Sequence, residues 1–176
     1  MNEAWHDRFQ AVWKRGSVAW TAGRRTPATL FNTDDVAFLK TVGCSAQELF
    51  DFIEDFHEYG EPDMTTALAV AALRREYFLR VLGGNATGKT VRMESLPAKT
   101  AEVDGIAWLP RLIAKARLKL RGEMPADLMY GCAGDRPFLR RMNMDLPGFL
   151  KLVAENGADD RHIVDAVKRH AAAARS

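Results

Sequence analysis

Apolar residues recur three and four positions apart along nearly the whole chain, a spacing that confines it to packed helices. Trp5, Phe9, Val12, Trp13, Gly16 and Trp20 fall on one face of a first helix. Thr33 or Asp34 is placed to cap a short helix over residues 36–41. Ser45 caps another, with Gln47 and Glu48 in its first turn and Leu49, Phe52, Ile53 and Phe56 inward. From Asp63 or Thr65 runs a stripe of Met64, Ala67, Leu68, Ala71, Ala72, Phe78, Leu79 and Leu82. Further on, Asp104 reads as the cap of an amphipathic helix with Leu109, Leu112, Ile113, Ala116 and Leu120 inward. Asp135, then Asp145 with Pro147, then Asp159 or Asp160 open three more. No parallel sheet is legible, so the expected class is all-α.

Between these helical stretches lies a polar segment that opens with GGNATGKT, residues 83–90. It fits the phosphate-loop pattern G-x-x-x-x-G-K-[ST] without a mismatch. That loop works only where a buried strand enters it and a helix starts at its end. Here a helix enters, and Val91 to Leu96 leave no room for a normal helix before Pro97. No strand ending in Asp is present to hold magnesium. Gly83-Gly84 therefore reads as a helix terminus followed by a linker, and not as a nucleotide site.

The order of elements suggests a repeat. Phe38-Leu39 and Leu49-Phe50 are echoed by Phe138-Leu139 and Phe149-Leu150. Pro27 and Pro125 each precede a leucine by three positions (Leu30 and Leu128), and an Asp-started helix comes next near Asp63 and near Asp159. The expected organisation is an N-terminal helical unit over residues 1–82, a linker over 83–103 and a C-terminal unit over 104–176. Together these would form one compact body with a ligand cleft between similar units.

At 176 residues with 47% apolar composition, the chain can bury a sizeable core. No apolar run approaches the roughly 20 residues of a membrane span. The first residues lack a signal-peptide pattern. Two cysteines, Cys44 and Cys132, are too few for a disulfide framework, which points to a reduced, cytoplasmic protein. The net charge of +2 is too small to point to nucleic-acid binding by itself, but RLIAKARLKLR, residues 111–121, carries five basic residues and no acid. Such a helix attracts anions or simply faces solvent.

Four groups could carry chemistry. On the basic helix, Arg111 and Lys115 stand one turn apart with Trp108 just before them, and Arg117 lies on another face. Arginine offers a planar fork to carboxylate or phosphate, and lysine a point charge. In MYGCAGDRPF, residues 129–138, two glycines allow close backbone approach, and Cys132 is a candidate nucleophile. There Asp135 can cap, orient Arg136, or act as acid or base. Glu54 and His57 make a single E-x-x-H; a carboxylate-bridged di-metal bundle needs a pair, so no metal site and no cofactor are assigned. Finally, Arg75 interrupts an apolar stripe and needs a partner.

The stretch WLPRLIAKARLKLRGEMPADLMYGCAGDRPFL resembles the bacterial proteins grouped as domain of unknown function family 5069. The signature falls on Leu109, Pro110, Arg111, Lys115, Arg117, Tyr130, Cys132 and Asp135, best over residues 105–139. GEPD and ALRREYF are similar to longer members. Shorter relatives carry Asp where this chain has Ala114, and Pro-Leu where it has Ala133-Gly134. The resemblance implies a fold group without a reaction, and it implies one constellation of Arg111, Lys115, Tyr130, Cys132 and Asp135.

Two functions stand as expectations. In the first, the chain binds, or also acts on, a small anionic metabolite. Arg111 and Lys115 would hold it with Trp108, Arg117, Arg136 and Arg75, and Tyr130, Cys132 and Asp135 would supply any acid, base or nucleophile. In the second, a non-catalytic module offers its basic helix to an acidic protein or nucleic acid. The absence of aromatics interleaved with that helix argues against nucleic acid. No membrane partner is expected, and the tryptophan-rich first helix leaves a homodimer open.

Overall fold

The computed structural model describes residues 3–173. Within them the chain is all-α apart from one two-stranded hairpin, and it divides into two compact units, residues 1–86 and 87–176. In the first, α1 (Glu3–Thr21) packs on α4 (Ala46–Tyr59) and α5 (Met64–Arg80), with the single turn α2 (Pro27–Leu30) and α3 (Thr33–Thr41) between. Phe9, Val12, Trp13 and Trp20 are buried among Leu49, Phe50 and Ile53. Each such side chain removed from water contributes about 1.5–3 kcal/mol. Trp13 meets Phe56, and Trp20 meets Phe50, edge to ring at 5.9 and 5.8 Å. Gly16 lets α1 approach closely: a Cβ there would lie 2.6 Å from Ile53 Cδ1.

Local signals set the helix ends. Ser45 and Glu48 form a reciprocal capping box on α4, which ends at Gly60 in the left-handed region. Asp63 caps α5 by accepting from Thr66 N at 2.8 Å. The cap of α3 is Asn32, and neither Thr33 nor Asp34, the two expected caps. Along α5 the buried arginine is Arg74, not Arg75. Arg74 lies 5.4 Å from the Phe78 ring, whereas Arg75 is half-buried over Trp5. Leu79, expected to face inward, is exposed.

The GGNATGKT stretch is irregular, and Lys89 and Thr90 are exposed. It leaves the end of α5, where Gly84 N returns to Phe78 O, and leads to a single 3-10 turn over Met93–Ser95.

In the second unit, β1 (Glu102–Val103) pairs antiparallel with β2 (Ile106–Ala107). The connecting residues Asp104 and Gly105 have φ of 50° and 76°. That is the left-handed pair that a two-residue hairpin loop needs, and it corrects the reading of Asp104 as a helix cap. α6 (Leu109–Arg121) starts five residues later, and the Asp104 carboxylate accepts from Lys168 at 2.9 Å. Then come α7 (Asp135–Arg141), α8 (Leu146–Asn156) and α9 (Asp160–Ala173). Leu109, Leu112, Ile113 and Ala116 of α6 are buried where it packs on α8, which carries Phe149, Leu150 and Val153.

The elements correspond across the units at a fixed spacing. Phe38-Leu39 on α3 and Phe138-Leu139 on α7 are all buried, as are Leu49-Phe50 and Phe149-Leu150. Gly43 and Asn143 both adopt positive φ after those short helices, and Ser45 and Asp145 cap α4 and α8. Each partner lies a hundred positions after its counterpart.

Candidate functional site

The site begins with Trp108, the residue before α6, held at φ 75°. A side chain with that backbone costs of order 1–3 kcal/mol and persists only where its surroundings fix it. Two bonds do so: Trp108 N donates to Ala101 O at 3.1 Å, and the indole Nε1 donates to Asp135 Oδ1 at 3.0 Å. Gly134 makes room for the ring, since a Cβ there would lie 2.6 Å from the indole Cζ2. Loop composition and backbone strain thus serve one contact.

Two turns into α6, Lys115 points into the unit. Its side chain is 2% exposed, and that of Asp135 is 0% exposed. The ammonium donates to Asp135 Oδ2 at 2.5 Å and to Cys132 Sγ at 3.3 Å. Gly131 N also donates to Asp135 Oδ2, at 2.8 Å. Asp135 therefore gathers three donors from α6, its N-terminal approach and the loop, and opens α7 without being its cap. Buried charge is tolerable only when answered in this way.

Cys132 is partly exposed, unlike the Lys115 and Asp135 side chains beside it. Its carbonyl accepts from Asp135 N and Arg136 N, which ties the thiol-bearing turn to α7. Tyr130 is buried, and its hydroxyl donates to Leu146 O at 2.8 Å. Burial first, then the charges of Asp135 and Asp145, push its phenol well above the usual value, so it stays protonated. The tyrosine pins the loop to the start of α8.

The remaining sequence-chosen residues bond outside this cluster, except Arg136, which holds its loop. Arg111 donates to Pro97 O at 2.7 Å, Arg117 to Gly157 O and Asp160, and Arg136 to Gly131 O at 2.7 Å. Lys119 is buried, and Arg121 lies 3.9 Å from Glu123. The basic stretch of α6 is thus largely engaged within its own unit and is not an open cationic face. Arg75 sits in the other unit, 5.1 Å over the Trp5 ring. Of the expected constellation, Lys115 bonds directly to Cys132 and Asp135, and Trp108, chosen outside it, joins them through Asp135.

One pair escaped the sequence reading. Arg15 on α1 salt-bridges Asp35 in the first turn of α3, twenty residues on, as Lys115 does Asp135. The doubled spacing was its signal. His57 bonds to Ser17 Oγ at 2.7 Å, and the described residues hold no cluster of three His, Cys, Asp or Glu suited to a metal. No helix among them is long and apolar enough to cross a membrane.

Residues 94–176 match the model of the family described as Domain of unknown function (DUF5069). The match extends the resemblance read around residues 105–139 through α8 and α9. No curated protein and no solved structure matches the chain.

Proposed function

We propose that the protein binds a small anionic molecule at the 130–135 loop, with Cys132 as the group that meets it. The supporting observation is the placement of the Lys115 ammonium. It has three N–H donors; Asp135 and Cys132 each take one, and the cysteine is the partly exposed member of the three. An anion that reaches the sulfur comes within range of a positive charge in low-dielectric surroundings, where charge counts for more than in water. Asp135 orients the lysine, Trp108 closes the far side of the carboxylate, and Tyr130 braces the loop. Arg111 and Arg136 hold backbone carbonyls and shape the site without gripping the ligand.

Alkylation of Cys132 tests it. The protein is screened by thermal melting against nucleotides, sugar phosphates and dicarboxylates, then treated with iodoacetamide with and without each hit. A ligand at a hundredfold its dissociation constant stabilises by about 2.7 kcal/mol. The expected result is that such a hit slows modification of Cys132 at least tenfold, and that Cys132→Ala weakens its melting shift. A hit that leaves the alkylation rate unchanged moves the anion to another site. Melts that no anion shifts remove the proposal altogether.

A further inference from the structure

The first unit offers a separate cavity of about 750 Å³ beside the Arg15–Asp35 pair. Its size falls within the ordinary range for small-molecule sites. Lys14, Arg15 and Arg24 stand in its wall, against a single carboxylate, Asp35. Asp35 is already answered: Arg15 pairs with it, and Asn32 N donates to it. The Arg15 side chain is 50% exposed, unlike the buried Lys115 at the corresponding place. Two cations beyond the internal pair therefore face the space.

The remaining wall is hydrocarbon. Val18, Ala22 and Ala28 line it from exposed positions, Val18 at 70%, while Leu30 and Phe31 form a buried floor. An apolar body with one anionic end matches both parts; a bare inorganic anion would leave the hydrocarbon wet, and a neutral lipid would leave the cations unanswered. We infer that this cavity binds a small amphipathic anion, a carboxylate or phosphate ester carrying a hydrocarbon body. Lys14 and Arg24 meet the head group, and Val18 and Ala22 cover the body. The site is in the other unit from Cys132 and independent of it.

The test compares octanoate, octyl phosphate and octanol on the full chain by isothermal titration. The wild type is set beside Lys14→Glu and Val18→Glu, both at exposed positions, with thermal melts confirming that each variant folds. The expected result is that both anions bind the wild type, octanol binds about tenfold more weakly, and each variant weakens the anions about tenfold. Cys132→Ala leaves all of this unchanged. The carboxylate and phosphate arms show which head group is preferred. Equal binding of octanol and octanoate, or no binding of either anion at millimolar concentration, overturns the inference. So does a dimer that Val18→Glu dissolves, since the cavity wall is then an interface.

Discussion

On α3 the carboxylate of Asp35 is answered by an arginine that lies half in water; on α7 the carboxylate of Asp135 is answered by a lysine, an indole and a backbone amide, all within the unit. Spacing and topology are shared, since each cation sits on the long helix twenty residues before its acid. What differs is solvent. Asp35 is itself buried, but its arginine keeps about half its exposure, so this pair is less costly to form and to break than one buried on both sides. Arginine suits the first place because its guanidinium is weakly hydrated and can face a cavity as well as its partner. Lysine suits the second as a compact charge for two acceptors. The same device has become scaffold in one unit and an accessible cationic wall in the other.

Breaking the buried pair gives the largest expected effect. Lys115→Met leaves Asp135 buried without its cation and should lower stability by about 3–5 kcal/mol. The Lys115→Met/Asp135→Leu double variant should recover only part of this, because Gly131 N and the Trp108 indole then lose their acceptor, as chemical denaturation would measure. A single variant that melts like the wild type would show that the pair is not buried in solution.

Next is Gly134→Ala, whose new methyl would have to displace the Trp108 ring. Overpacking of this kind costs about 1–3 kcal/mol. It should also move Trp108 fluorescence and quicken alkylation of Cys132, because the indole no longer closes the cluster. A stability loss without a change at Cys132 would separate the tryptophan from the site. Arg15→Gln, by contrast, should cost about 1–2 kcal/mol, because Asp35 is buried but keeps the Asn32 N–H and water reaches the half-exposed side where the arginine stood. A loss as large as that of Lys115→Met would mean the two pairs are equivalent after all.

The range of each interaction decides how much of this was legible in the sequence. Ser45, Asp63 and Asp145 act on backbone three residues away, so their helices could be read directly. Asp104 could not, because Asp before an apolar helical run resembles a cap, whereas Asp-Gly between two short strands is a hairpin turn. The strands are two residues each, too short for alternation to register. Arg74 and Arg75 are neighbours at the edge of one stripe, and only tertiary packing decides which is buried. Lys115, Cys132 and Asp135 were legible as a group. The engagement of Arg111 was not, since its acceptor Pro97 O lies in a segment with no periodicity. Arg15–Asp35 was within reach: the echo of Phe38-Leu39 in Phe138-Leu139 was visible, but the charged positions beside it were not aligned.

The smallest effect compares the caps of one later helix in each unit, Asp63 on α5 and Asp159 on α9, each accepting from a backbone N–H three residues on. The Thr66 hydrogen bonds hold the Asp63 carboxyl below its ordinary 3.8, outweighing the slight burial that would raise it. A depressed acid stabilises the fold above its unfolded value, and that contribution is lost as pH falls through the lower folded value. Asp63→Ala should therefore cost about 0.5 kcal/mol at pH 7, the low end for a cap because the carboxylate is mostly solvated. The gap should close below pH 3.8, while Asp63→Asn, which still caps, should stay near wild type at pH 7 without that dependence. Paired denaturation curves from about pH 2 to pH 7 read this directly. A gap that persists unchanged at the acid end would show that the cap acts through its geometry and not its charge, and would leave the buried pairs as the place where charge governs these units.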